Sequence, residues 1–160
     1  MGIKAQGLGD VTQFFKQYMR IVNEEMMRTL SFLGEQCVEM TRDREQEDSW
    51  FDQTGNLRSS VGYAIYEMGK KKIESEFPIV KQGSEGAKEG KQMLDDLAKM
   101  YSQAYVLVVV AAMSYAEYVE SMKSKDVLAS TELWAASKVD EYLRKTREMV
   151  EKRVSRELKF

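Results

Sequence analysis

Apolar residues recur every three or four positions along the first quarter of this 160-residue chain: Val11, Phe15, Tyr18, Val22, Met26, Leu30, Leu33, Cys37 and Met40. That spacing lines one face of a 3.6-residue helix. Asp10 stands ahead of it as an N-cap, so the pattern predicts a helix from about Asp10 to Arg42. Gly34 interrupts the run at a cost of about 1 kcal/mol relative to Ala, which points to a kink or close helix packing at that position. Residues 1–9 hold three glycines and read as flexible, and 41–52, nearly all charged or polar until Trp50 and Phe51, reads as a loop.

The period then changes. Thr54-Gly55-Asn56 is a turn signal, and the stretch from Leu57 to Met68 places Val61, Tyr63 and Ile65 on alternate positions, as a strand does. Met68-Gly69-Lys70 can reverse the chain into a second strand, Lys72 to Val80, with Ile73, Phe77 and Ile79 on one parity. Pro78 has no N–H to give a ladder, so this strand belongs at a sheet edge or ends there. Gln82 to Gly90, with Gly83, Gly86 and Gly90, reads as a flexible connector. Ser84 can cap a helix bearing Ala87, Leu94, Leu97, Ala98 and Tyr101. Ala104 to Ala111 is apolar on both parities, the pattern of a central strand covered on each face. Ser114 opens a compact turn or helical turn, Ser121 to Ala129 is a polar connector, and Ser130 or Thr131 starts a last helix reaching Leu158. Its apolar stripe is Leu133, Ala136, Val139, Leu143, Val150, Val154 and Leu158, and Asp140–Arg144, Glu141–Lys145 and Glu148–Lys152 are helix-stabilising pairs. The expected fold is a single α+β domain over 1–160: a small, mostly antiparallel sheet, made of a hairpin plus one buried strand, packed by long N- and C-terminal helices.

Composition narrows the chemistry. There is no histidine and one cysteine, Cys37. That removes Ser-His-Asp and Cys-His nucleophiles, imidazole acid–base catalysis and every His- or multi-Cys metal site. It also argues against a disulfide scaffold. With 24 Lys plus Arg against 26 Asp plus Glu the net charge is -2, which argues against a nucleic-acid partner, since such affinity rests on phosphate neutralisation. No stretch is apolar for the roughly 18 residues a membrane span needs. The N-terminus has neither the apolar core of a signal peptide nor, with Gln6 in place of Ser or Thr, a myristoylation pattern.

Motifs for catalysis are sparse. Glu117 and Glu120 are three apart, but a glycosidase needs its two carboxylates on opposite sides of a substrate. No serine has Lys three positions on, and no phosphate-binding glycine loop is present. Lys70-Lys71-Lys72 reads as a charged turn, and the methionines at 19, 26, 27 and 40 read as core filling. Trp50 and Phe51, set between charges and a turn, are candidate interface anchors. No catalytic residue, cofactor or metal site is therefore expected.

At Thr54-Gly55-Asn56-Leu57-Arg58-Ser59-Ser60-Val61 the chain resembles the Thr-Gly-x-Leu-Arg-x-Ser-(Ile/Val) signature of the head–tail connector or tail-completion proteins of tailed bacteriophages, often described as minor capsid or tail components. Tyr115-Ala116-Glu117-Tyr118-Val119-Glu120 is similar to that family's Tyr-Ala-x-Tyr-Val-Glu segment. Asp126-Val127-Leu128-Ala129, followed by Leu133-Trp134-Ala135-Ala136, resembles its lead into the terminal helix. The matching parts run from about Asp52 to Val139. Ser121-Met122-Lys123 departs from the family's Gly-Thr, and the helix around Ser84 to Ser102 is longer than the family's. The resemblance implies a non-enzymatic virion structural protein. It would join head and tail, or complete the tail, through contacts with portal-side and tail-side proteins, and form a homo-oligomeric ring from subunits that can be monomeric in isolation. It would be found in the virion and, during assembly, in the host bacterial cytoplasm. The interaction candidates are Trp50, Phe51, Leu57, Arg58, Tyr115, Tyr118 and Glu120. The alternative is a cytoplasmic adaptor or regulatory module binding a partner protein or DNA through its long helices.

Overall fold

The structure is a computed structural model that describes residues 8–44, 52–100, 102, 104–122 and 125–158. The elements in order are α1 (Leu8–Arg42), α2 (Asn56–Ser59), β1 (Val61–Glu67), β2 (Lys70–Glu74), α3 (Ser84–Leu97) with a 3-10 turn at Ala98–Met100, β3 (Tyr105–Ala111), α4 (Ala116–Ser121) and α5 (Ala129–Glu157). This is the α+β architecture expected, a three-stranded antiparallel sheet with long N- and C-terminal helices. The chain divides into two compact units, Leu30–Lys138 and a second formed by Met1–Thr29 with Val139–Phe160.

Within the first unit the strand order is β2-β1-β3. The hairpin forms as the sequence indicates, with Met68 (φ 50) and Gly69 (φ 76) both at positive φ, the requirement of a tight turn matching strand twist. Two expectations are corrected. The central strand is β1, whose first six residues are all buried, and not the apolar run at 105–111. β3 lies at an edge, where its residues are half-buried apart from Val110. Apolarity on both parities therefore marks coverage of the two faces without telling whether the backbone has a neighbour on both sides. The first strand also begins later than expected, because Asn56–Ser59 is a helical turn. The second ends at Glu74 and continues as unladdered chain in which Phe77 is buried and Ile79 is 60% exposed.

The sheet is covered on two faces. On one, Ala64, Tyr66, Val108 and Val110 pack with Phe77, Ala87 and Leu94, and the Tyr66 hydroxyl donates to the Leu94 carbonyl at 2.5 Å. On the other, the Tyr63 ring lies against Gly34 of α1, so close that a Cβ there would stand 2.6 Å from it. The close packing expected of Gly34 against a helix is thus made against a strand instead. The Tyr63 hydroxyl donates to Glu35 at 2.9 Å, and burial, followed by that carboxylate, pushes the phenol up to about 12.

Gly83, Gly86 and Gly90 are not a flexible connector. Gly83 is the N-cap of α3 and the other two lie inside it, at a spacing of three and four that keeps them on one helical face. A Cβ at Gly86 would stand 1.9 Å from the Asn56 carbonyl oxygen, and one at Gly90 would stand 2.3 Å from the Phe77 ring. Small residues here let α3 touch the backbone of α2.

In the second unit Ile21, Val150 and Leu158 form the core, with Phe14, Val22 and Val154 packed against them. The pairs Arg20–Glu157 (3.3 Å), Glu25–Arg153 (2.8 Å) and Thr29–Thr146 (2.6 Å) run in opposite sequence directions, so the two segments are antiparallel. Arg153 binds Glu24, Glu25 and Glu157 together. Not all of the α5 stripe is covered: Leu133 is 74% exposed, and Val139 and Leu143 are exposed too. At 129–138 the buried position is instead Thr131, hydrogen-bonded to Thr41 at 3.2 Å. The expected Glu141–Lys145 pair forms at 2.6 Å.

Two predictions follow from this packing. Gly86→Ala should lower unfolding free energy by about 1–3 kcal/mol through overpacking against rigid backbone. Gly9→Ala, with no atom of the described residues within 4 Å of its Cβ, should leave stability unchanged or raise it in the same urea titration. Hydrogen bonds from Arg153 and then Arg156 hold the Glu157 carboxyl down to about 2, from an ordinary 4.5. A lowered folded-state pKa gives stability that is complete above the unfolded value and lost as pH falls through the folded one. Thermal melts should therefore show helix stability falling between about pH 4.5 and 2, with a flatter profile in Glu157→Gln.

Candidate functional site

The segment 52–60 is short and almost every group in it is engaged. The Asp52 carboxylate accepts the N–H groups of Gly55 at 2.9 Å and Arg58 at 3.0 Å. This closes a turn in which Gly55 takes φ 83, and a Cβ there would fall 1.9 Å from the Val80 carbonyl oxygen. Asn56 Oδ1 accepts the Gly86 N–H at 3.2 Å, supplying from α2 the cap that α3 lacks in its own Gly83. Ser59 Oγ accepts the Val80 N–H at 2.9 Å. Ser60 Oγ donates to the Leu57 carbonyl at 2.8 Å and accepts the Ala112 N–H at 3.1 Å.

Arg58 and Arg42 clasp one another's backbone. The Arg58 guanidinium donates to the carbonyls of Arg42 and, at 3.3 Å, Arg44, where α1 ends with unsatisfied carbonyls. Arg42 in turn donates to the Arg58 carbonyl at 3.2 Å and to that of Val61.

The second and third segments meet the first at this corner. Leu57, 1% exposed, packs with Ala116 and Val127, and Ala111, Met113, Val119 and Leu128 surround them. The carboxylate of Glu120 accepts three successive N–H groups, Val127 at 3.0 Å, Leu128 at 2.8 Å and Ala129 at 2.9 Å. Charge-assisted bonds to a helix start are favoured by both geometry and dipole, so Glu120 fixes the entry to α5 from α4. Arg44 adds a link from the end of α1, pairing with Asp126 and donating to Ser130 Oγ at 2.6 Å. Burial alone would raise the Asp126 carboxyl, but hydrogen bonds from Ser130 and the Arg44 guanidinium outweigh it and hold the group below its ordinary value.

Of the candidates read from sequence, Leu57, Arg58 and Glu120 come together here, facing inward as core, clasp and cap. The Arg58 guanidinium is thus engaged with the carbonyls at the end of α1. Tyr115 and Tyr118 stand at the surface, 37% and 66% exposed. Burial, and after it the Asp52 carboxylate, raises the Tyr115 phenol above its ordinary value. Trp50 and Phe51 lie outside the described residues. Asp52, Asn56, Arg42, Arg44 and Asp126 were not among the interaction candidates read from the sequence. The available signal was an Asp three residues before the turn glycine, the separation at which a capping side chain reaches a backbone N–H. Beside the corner is a shallow cleft of about 430 Å³ lined by Ala116, Glu117, Glu120, Val127 and Leu128. Among the described residues no cluster of acidic or Cys side chains is arranged to hold a metal, and Glu120 uses both its oxygens on backbone donors.

No protein-family model, curated protein or solved structure matches this chain.

The geometry separates inner from outer residues in a way mutation can read. Leu57→Ala should cost about 2–5 kcal/mol as a buried truncation, and Glu120→Ala about 1–3 kcal/mol by stranding backbone donors. Tyr118→Ala, at an exposed ring, should stay within about 0.5 kcal/mol of the parent in chemical denaturation.

Proposed function

We propose that this protein is a non-enzymatic structural component of a tailed-phage or prophage virion, joining head and tail or completing the tail through protein–protein contacts. The observation that supports the reading is convergence. The three segments that carry the resemblance, around Leu57, Ala116 and Val127, are far apart in sequence yet share one cluster, while Glu120 and Arg44 tie the helix ends around it. Such a corner holds a surface in one shape, with Tyr115 and Tyr118 displayed beside it. Aromatic rings with polar tips suit a partly wet interface. The groups with strong internal partners, Arg58 and Glu120 among them, maintain the scaffold and do no chemistry on a substrate.

Deletion of the gene from the phage or inducible prophage that carries it is expected to give separate filled heads and tails in electron micrographs of the lysate. Complementation by Tyr118→Ala, or by the double substitution Trp50→Ala and Phe51→Ala, should restore few joined particles although circular dichroism of the variants is unchanged. Normal joined particles from the deletion strain would overturn the proposal.

A further inference from the structure

We propose that the open edge of β3 pairs with the same edge of a second copy, antiparallel across a two-fold axis at Val108, so that two three-stranded sheets become one of six strands. The inference rests on strand chemistry and is independent of the virion reading.

The direction of each backbone group on β3 can be fixed. Tyr63 turns its N–H and C=O toward the β2 side, where the Ser75 Oγ accepts the N–H and the Ser75 N–H donates to the C=O, while the Met68 N–H reaches the Ala104 carbonyl on the opposite side. Groups alternate along a strand, so Gly62, Ala64 and Tyr66 face β3. Their register partners Val110, Val108 and Val106 bond inward. Tyr105, Leu107, Val109 and Ala111 therefore aim N–H and C=O outward, and among the described residues no strand lies beyond them.

The two edges of this sheet are built differently. β2 presents Lys70, Lys71, Lys72 and Glu74, its pairing with β1 is irregular between Ile65 and Tyr66, and Pro78 follows. Charges, irregular pairing and proline are the devices that keep an edge from recruiting another strand. Lys71 and Lys72 are held in ion pairs with Glu74, Asp95 and Glu67. β3 has none of these devices: seven residues, no charge, no proline and a regular register along its whole length.

The occupant follows from the sequence of the strand. Read outward from Val108, the chain is nearly the same both ways, with Leu107 opposite Val109, Val106 opposite Val110 and Tyr105 opposite Ala111. An antiparallel pair thus sets apolar side chain against apolar side chain throughout, with the larger Tyr facing the smaller Ala. It also makes Leu107 and Val109 a hydrogen-bonded pair, matching the outward groups. Head-to-tail pairing would need the defended β2 edge. The two-fold arrangement closes on itself, consuming both β3 edges.

The test is the mass of the full chain in solution by light scattering, with two variants. The parent should be a dimer, and Leu107→Pro should be a monomer of unchanged circular dichroism, since the N–H it removes faces away from β1. Residues at the axis form a non-hydrogen-bonded pair with Cα atoms about 4.5 Å apart, within disulfide reach. Val108→Cys should therefore cross-link into a covalent dimer under mild oxidation and Val106→Cys should not. Cys37 does not compete, being buried and pushed up to about 11 by that burial. A monomeric parent, a dimer that survives Leu107→Pro, or a failure of Val108→Cys to cross-link would overturn the inference.

Discussion

Every helix leaves backbone groups without partners at its ends, and in this protein the satisfaction of those groups holds the sheet-bearing unit together. The carbonyls ending α1 receive Arg58. The start of α3 receives Asn56, and the approach to α5 receives Glu120 and, one residue on, Asp126. Each cap comes from a different element than the helix end it serves, except Asp126. A local need, one donor or acceptor short of a partner, is thereby turned into a long-range constraint. Asp52 stands behind this arrangement, because its carboxylate fixes the one-turn helix that carries both Asn56 and Arg58.

This explains which parts of the fold could be read from the sequence. Long helices and the hairpin depend on periodicity and on turn residues, and both are written locally: the stripe from about Asp10 to Arg42 and Met68-Gly69 sufficed. The identity of the central strand was not local. β1 carries Gly62 and Ala64, small residues that look weak in isolation, yet Gly62 is where the Phe77 ring settles and Ala64 is fully buried. β3 looks strongest by composition and lies outermost. The glycines at 83, 86 and 90 misled for a similar reason, since a residue chosen to admit a neighbour's backbone resembles one chosen for looseness. Their spacing of three and four was the distinguishing signal.

The candidate site was legible in part. Motif similarity selected Leu57, Arg58 and Glu120, three residues the corner is built on, without indicating the internal partners that each of them takes. A charged side chain in sequence gives no hint whether it will meet solvent, a carboxylate or a row of backbone N–H groups. Glu120 meets the last of these, which requires 127–129 to curl back toward α4, and that depends on Val127 burying itself beside Leu57. Packing and capping at this corner are therefore coupled. Removal of the apolar contact frees the loop that the carboxylate holds, and removal of the carboxylate strands donors beside an apolar cluster.

The same coupling gives reason for a division of labour on the surface. A corner fixed by buried caps can carry exposed aromatics without losing stability to them, because the Tyr118 ring, 66% exposed, lies outside the buried cluster. The β3 edge differs, since its outward groups belong to the same strand that buries Val110 and covers Tyr66. Truncation of Val110 disturbs the core, while the outward N–H of Leu107 is a group that β1 does not use. Edge chemistry is therefore the one property of β3 that can be altered apart from its packing. An interaction built on it can be removed while the fold stays in place.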